Sequence, residues 1–278
     1  MERSKDKFKV GLIQMTSSHV RDDNIRVADE LIRQAASQGA EFILTPEMTT
    51  LLDFESKQVL KKITIERDTS WRHFASLAKE LGVWLLIGSI AIKVGNKATN
   101  KSFLFSPEGK KIATYDKIHM FDVNLPGEDA YKESNLYVAG TEAVVASLPW
   151  GKVGLSICYD LRFPYLYRAL SHAGAVMLTV PAAFTEQTGT AHWHALLRAR
   201  AIENGAFVFA PAQCGKHTNG RRTYGHSLIV DPWGKIIGDG GNEIGVTVTE
   251  VNMEQVVRAR NSIGSLTHDK NIVIQTVS

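Results

Sequence analysis

The sequence predicts an α/β fold with mixed sheets, and three observations carry that expectation. Short apolar runs alternate with amphipathic helical patterns from the start of the chain. Three proline-containing turns each sit between strand-like segments, which adds antiparallel hairpins to the parallel rhythm. No Pro/Ser-rich linker or charge block divides the 278 residues, and a domain holds ~150 residues with wide scatter, so one domain over 1–278 is expected. Its C-terminal tail is expected from about residue 258.

The elements follow in order. Phe8 to Met15 reads as a strand. Asp22 or Asp23 can cap a helix in which Ile25, Ala28, Leu31, Ile32, Ala35 and Ala36 recur at helical spacing, and Gly39 ends it. Phe42-Ile43-Leu44 is a buried strand. Residues 70–81 give a second amphipathic helix closed by Gly82, and Val83 to Ile92 another strand. Ser106-Pro107-Glu108-Gly109-Lys110, Leu148-Pro149-Trp150-Gly151-Lys152 and Asp231-Pro232-Trp233-Gly234-Lys235 share one turn design, with proline second and glycine fourth. A helical pattern separates the second from the third, so they are not tandem repeats.

Composition excludes several function classes. Hydrophobic residues make up 44% and charged residues 22%, which is an ordinary globular balance and not a disordered or fibrous one. A net charge of +3, spread along the chain, is too weak to argue for nucleic acid or an anionic membrane. No apolar run approaches the ~18 residues of a membrane span, and Met1 to Val10 lacks the apolar stretch of a signal peptide. Two cysteines, Cys158 and Cys214, cannot staple a secreted scaffold. A cytoplasmic enzyme is the expectation.

Three polar residues follow apolar strands, where α/β sheets place their ligand crevice: Glu47, Lys117 and Cys158. Each has a bland reading alone: a surface carboxylate, a solvated lysine and a buried structural thiol. Together they make a reaction set. A lysine ammonium would favour the thiolate, and a desolvated glutamate with raised pKa could take the thiol proton and pass it to a leaving amine. The lysine and a backbone N–H at the Cys158 turn could hold an oxyanion. Spacing alone does not establish that the three meet.

The segments around them do resemble a family. Thr45-Pro46-Glu47-Met48, Tyr115 to Asp122 (YDKIHMFD) and Ser156 to Pro164 (SICYDLRFP) are similar to the three signature segments of the nitrilase superfamily of carbon–nitrogen hydrolases. The resemblance runs from about Val10 to Val257. It implies an αββα sandwich, usually paired sheet to sheet in a homodimer. It also implies Glu47 as general base, Lys117 as oxyanion stabiliser, Cys158 as nucleophile and Glu133 as the second active-site glutamate. The implied reaction is amide hydrolysis through a thioester, with the Tyr159 N–H helping Lys117 and with no metal or organic cofactor.

Ala182-Ala183-Phe184, Gly189 to Trp193, Leu197 to Glu203, Ala212 to Gly215 and Tyr224 to Ser227 resemble the Nit branch, which holds deaminated-glutathione amidases and ω-amidases. The implied substrate is a small carboxylate-bearing amide, with deaminated glutathione favoured over α-ketoglutaramate and N-carbamoyl compounds as a rival class. An inactive binding or scaffold member of the fold is the non-enzyme alternative. Tyr159, Arg162, Ala183, Phe184, His192 and Trp193 are the expected substrate-binding residues. Arg162 either meets a substrate carboxylate with its planar fork or braces the loop, the first being preferred. His192 and Trp193 either line the pocket or pack. Thr190 and Gly264 stand where the branch commonly has proline, the first near a pocket loop and the second in the tail. His192 and His194 lie two positions apart and face different ways on a helix, so no metal pair is expected there. Cys214 is expected to be an inert structural thiol, and Gly238-Asp239-Gly240-Gly241 a turn and not a phosphate loop.

Overall fold

Two six-stranded mixed sheets stack face to face with helices on their outer faces. The computed structural model describes residues 6–52, 56–65, 70–125, 131–218 and 220–277, so Met1–Lys5 of the charged N-terminal segment lies outside the described residues. The first part of the chain runs β1 (Lys7–Gln14), α1 (Arg21–Ser37), β2 (Phe42–Leu44), α2 (Ser56–Ile65), α3 (Ser70–Leu81) and β3 (Trp84–Val94). It continues with β4 (Lys97–Phe105), β5 (Lys111–Asp116), β6 (Asp122–Val123) and β7 (Tyr131–Lys132). The second part holds β8 (Val144–Leu148), β9 (Gly151–Leu155), α4 (Pro164–His172), β10 (Ala175–Thr179), α5 (Glu186–Asn204) and β11 (Phe207–Ala210). It ends with β12 (Cys214–Lys216), β13 (Arg222–Tyr224), β14 (Leu228–Val230), β15 (Ile236–Asp239), β16 (Gly245–Asn252) and α6 (Glu254–Ser262). One sheet has the order β16-β1-β2-β3-β4-β5 and the other β15-β14-β11-β10-β9-β8.

Side-chain alternation explains the layering. Val10, Leu12, Phe42, Leu44 and Leu86 point inward to a core shared with Val153, Leu155, Met177, Phe207 and Phe209 of the other sheet. Their neighbours Ile13, Ile43, Leu85 and Ile87 point outward onto α1 and α3. Burial of both faces is why these strands read as continuous apolar runs and not as alternating ones. Phe42 and Phe209 meet edge to face across the sandwich, ring centroids 6.2 Å apart. Gly11 is required where α1 crosses β1, since a Cβ there would lie 2.9 Å from that of Ala40.

Several local expectations change. Asp22 and Asp23 do not cap α1 but lie in its first turn, where their charge still suits the helix N-terminus. Asn24 does the tying instead: its Oδ1 accepts from the Ser18 N–H (2.8 Å) and its Nδ2 donates to the carbonyls of Ser18 (2.8 Å) and Thr50 (3.0 Å). All three proline turns close antiparallel hairpins, but not with one design. The glycine takes positive φ in all three, but the first and third are closed by Gly109 N–H to Ser106 C=O and Gly234 N–H to Asp231 C=O. In the second, Leu148 pairs directly with Gly151, leaving a two-residue loop. Helix α2 and the ribbons β6–β7 and β12–β13 were not expected; the ribbon strands, at two or three residues each, are too short to show a period. The tail boundary near 258 falls inside α6, so the tail begins after Ser262.

The site is positioned where β2, β5 and β9 end. Gly88 on β3 is pressed against the segment leading to Glu47: an added Cβ would stand 2.1 Å from the Thr45 carbonyl oxygen and 2.4 Å from that of Pro46. Those are backbone atoms and cannot rotate away. Gly88→Ala is expected to destabilise the protein by at least ~2 kcal/mol and to lower activity by displacing Glu47, checked by urea unfolding and a rate assay.

Candidate active site

Four side chains from four separate segments converge at the strand ends. Glu47 follows β2, Lys117 follows β5, Glu133 opens a 3-10 turn after β7, and Cys158 opens a second 3-10 turn after β9. Lys117 Nζ donates to Glu47 Oε1 (2.9 Å) and to Glu133 Oε2 and Oε1 (2.8 and 3.0 Å). Glu47 Oε2 accepts from the Ala183 N–H at 2.9 Å. Glu47, Lys117 and Cys158 are all buried, at 4%, 2% and 6% exposure.

Two residues carrying this arrangement lie in unusual backbone. Cys158 has φ +49° and Met48, next to Glu47, has φ +57°, the left-handed region that L side chains seldom occupy. Hydrogen bonds hold both. The Cys158 N–H donates to the Pro181 carbonyl (2.9 Å) and the Met48 N–H to Ser89 Oγ (2.8 Å). Tyr159 comes next in the 3-10 turn, where the first N–H groups have no carbonyl to reach within the turn itself. A cavity of about 840 Å3 opens over Cys158, walled by Tyr159, Ala183, Phe184 and Phe121, with Arg221 among its lining residues.

The comparisons with known proteins bear directly on this arrangement. The carbon–nitrogen hydrolase family matches residues 9–261. A deaminated glutathione amidase of Synechocystis sp. (strain PCC 6803 / GT-S) is 42% identical over 266 residues, 94% of this chain and 97% of that one. The chain belongs to the carbon–nitrogen hydrolase family. Among solved structures, the C. elegans NitFhit protein superposes with a TM-score of 0.90 at 32% identity over 95% of this chain, which spans 65% of that longer one. Saccharomyces cerevisiae Nit3, a member of branch 10 of the nitrilase superfamily, gives a TM-score of 0.82 at 29% identity, covering 92% and 94% of the two chains. The αββα sandwich and the Nit branch expected from the motifs are both borne out.

Not every expected residue of this carbon–nitrogen hydrolase reaches the cavity. Tyr159, Ala183 and Phe184 line it; Arg162, His192 and Trp193 do not. The Arg162 guanidinium lies 5.3 Å from the Phe184 ring centre and 5.9 Å from that of Tyr159, and its fork donates to His192 Nδ1 at 3.3 Å. This places it against the outside of the wall, as a brace. Trp193 is fully buried and donates from Nε1 to the His226 carbonyl at 2.8 Å. It belongs to the core. Thr190 does line the cavity, in the first turn of α5, with its Oγ1 bonded to the Glu186 carbonyl.

Three participants were not singled out in the hydrolase sequence. Asn100, midway along β4, donates from Nδ2 to Glu47 Oε1 (2.9 Å) and Glu133 Oε1 (3.2 Å). Asp160, completely buried, accepts from Tyr115 OH (2.7 Å), the His119 N–H (3.0 Å) and the Ile157 N–H (2.8 Å), so it clamps the Lys117 segment to the Cys158 turn. Arg221 enters the cavity wall, bonded through Nη2 to the Ala183 carbonyl (2.9 Å) with its guanidinium 5.0 Å from the Tyr131 ring centre. Asp160 stands inside the SICYDLRFP segment and could have been suspected there; Asn100 and Arg221 stand in no patterned stretch.

The resting charges differ from the expectation. Burial pushes Glu47 upward, but the Lys117 ammonium and the hydrogen bonds it receives outweigh that and hold its carboxyl below its ordinary value. Burial and the Glu47 charge raise the Cys158 thiol well above its usual range, with Lys117 opposing them. Burial opposes the charged form of Lys117 too, yet the Glu133 and Glu47 carboxylates raise it well above an ordinary lysine. The pair therefore rests as carboxylate and thiol, not as acid and thiolate. A carboxyl held low stays ionised until the pH falls through its folded value, beneath the ~4.3 of an ordinary glutamate. kcat/KM is therefore expected to stay flat from about pH 7 to about pH 5 in a pH–rate profile, and an acid limb centred near pH 6 would contradict the depressed Glu47.

Proposed function

We propose that this hydrolase cleaves the amide of a small carboxylate-bearing substrate through a Cys158 thioester, releasing ammonia, with deaminated glutathione as the favoured substrate. The observation that carries the reading is the buried Lys117 ammonium bonded to Glu47 and Glu133, with the Cys158 thiol lining the same cavity as all three. In this reading Cys158 Sγ attacks the amide carbon as Glu47 takes the thiol proton. Lys117 Nζ and the Tyr159 N–H receive the oxyanion. The C–N bond breaks as Glu47 hands its proton to the leaving ammonia. Water, deprotonated by Glu47, then attacks the thioester, and the acid leaves as the proton returns to sulfur. Glu133 keeps Lys117 aimed. The relatives named deaminated glutathione amidase support the substrate class. A single hydrolase domain, a homodimer and a cytoplasmic site belong to the same proposal, the last because both cysteines are free thiols.

Such a substrate is anionic, and Lys117 is committed to the two glutamates. Arg221 takes the role first assigned to Arg162, because its planar guanidinium is in the cavity wall and can grip a carboxylate through two hydrogen bonds. Cys158→Ala is expected to abolish ammonia release, while Cys214→Ser, altering a thiol whose Sγ lies against Thr16 at 3.6 Å, keeps most of it.

Arg221→Lys is expected to lower kcat/KM for deaminated glutathione by ~10-fold or more while sparing a short neutral amide. The check is ammonia release by both proteins on deaminated glutathione, α-ketoglutaramate, an N-carbamoyl amino acid and the neutral amide. Equal losses on all substrates would make Arg221 structural. A wild-type preference for the N-carbamoyl compound would overturn the substrate.

A further inference from the structure

On the face of α5 turned away from Arg162, three potential metal ligands come together. His194, His226 and Asp239 each offer one ligand atom, and these atoms lie within 4.8 Å of one another. We propose that His194, His226 and Asp239 form a binding site for one divalent transition-metal ion of the zinc class, separate from the catalytic cavity. None of the three lines that cavity.

The donor set is the first argument. Two imidazoles and one carboxylate are the protein ligands that suit zinc, with a fourth position left to water. Zinc–nitrogen and zinc–oxygen bonds of ~2.0–2.1 Å at tetrahedral angles put ligand atoms about 3.3 Å apart. His226 Nδ1 already lies 2.9 and 3.2 Å from the two Asp239 oxygens, and His194 Nε2 lies 3.7 Å from Oδ2. Side-chain rotations alone would close the remaining gap. The ion would take the place of the proton that His226 and Asp239 share.

The second argument is how firmly each ligand is placed. His194 sits mid-way along α5, with its other ring nitrogen, Nδ1, 3.5 Å from Tyr224 OH, a neighbour of the kind that orients metal-bound imidazoles. The Tyr224 ring stacks on that of His226 with centroids 4.6 Å apart. His226 holds φ +53°, fixed by its N–H to the Gly241 carbonyl (2.7 Å) and by the Trp193 indole on its own carbonyl. Asp239 ends β15, and its Oδ1 accepts from the Gly241 N–H (2.9 Å).

The third argument is charge. The other histidine–carboxylate pairs at the surface share their acid with an arginine: Asp29 with Arg33, and Asp269 with Arg168. A cation is repelled there. Among the described residues, Asp239 forms ion pairs with the two imidazoles alone. All three side chains are partly exposed, so an ion can enter from solvent.

Calorimetric titration of zinc chloride into the Cys158→Ala protein tests this, since that variant removes the active-site thiol as a competing ligand. One zinc per chain is expected, with Kd of ~10 µM or tighter. His194→Gln and Asp239→Asn should each weaken it at least ~10-fold. Zinc should also raise the Tm of Cys158→Ala and leave that of the Cys158→Ala, His194→Gln double variant unchanged, which separates binding from a folding defect. Absence of zinc binding by Cys158→Ala, or binding changed less than twofold by either ligand substitution, would overturn the site.

Discussion

The Lys117 ammonium, buried between two carboxylates, is the interaction on which the rest of the active region depends. An ammonium that deep in the fold is tolerable only if it is paired, and Glu47 and Glu133 both accept from Nζ. The cluster has one positive and two negative charges, and the excess is moderated by neutral donors: the Asn100 amide to both acids, the Ala183 N–H to Glu47 and the Phe121 N–H to Glu133. Removing one partner from such a set strands a buried charge, at a cost of ~3–5 kcal/mol. Stability and chemistry therefore rest on the same atoms.

That cluster would be useless if its four segments could drift, and Asp160 is what prevents it. One carboxylate joins Tyr115 at the end of β5, His119 two residues beyond Lys117, and Ile157 just before Cys158. Burial and the Asp160 charge push the Tyr115 phenol far above its usual range, so it remains a donor. The distance from Lys117 Nζ to Cys158 is thus set by backbone clamps behind the site. The left-handed backbone at Met48 and Cys158 costs ~1–3 kcal/mol at each position and persists because neighbouring hydrogen bonds over-determine it.

Helix α5 illustrates how one element serves several ends. Its consecutive residues His192, Trp193 and His194 project about 100° apart. His192 meets Arg162 on the outside of the cavity wall, Trp193 fills the core against Phe184, and His194 faces His226 and Asp239. Its first turn carries Thr190 into the cavity itself.

The strands were legible because both sheets are covered on both faces, which writes them as apolar runs such as Phe42-Ile43-Leu44; proline and glycine marked the hairpins. Glu47, Lys117 and Cys158 were legible as polar residues at strand ends within motif-like segments. The short ribbons were not, because strands of two or three residues carry too little periodicity. Nor was the placement of Arg162: it is four positions after Cys158 in sequence, but its guanidinium packs on Phe184 and bonds to His192 and is absent from the residues that line the cavity. Arg221 takes its place in the cavity wall from a segment more than sixty residues from Cys158. Sequence by itself determined the mixed α/β strands and hairpins and the chemical types at the strand ends, because apolar periodicity and turn chemistry are local properties; the αββα sandwich was implied only by the resemblance of the motif segments. Tertiary structure alone decided which charges share a proton, which cation faces the cavity and which imidazoles meet, because electrostatic coupling falls off over a few ångströms of space and takes no account of separation along the chain.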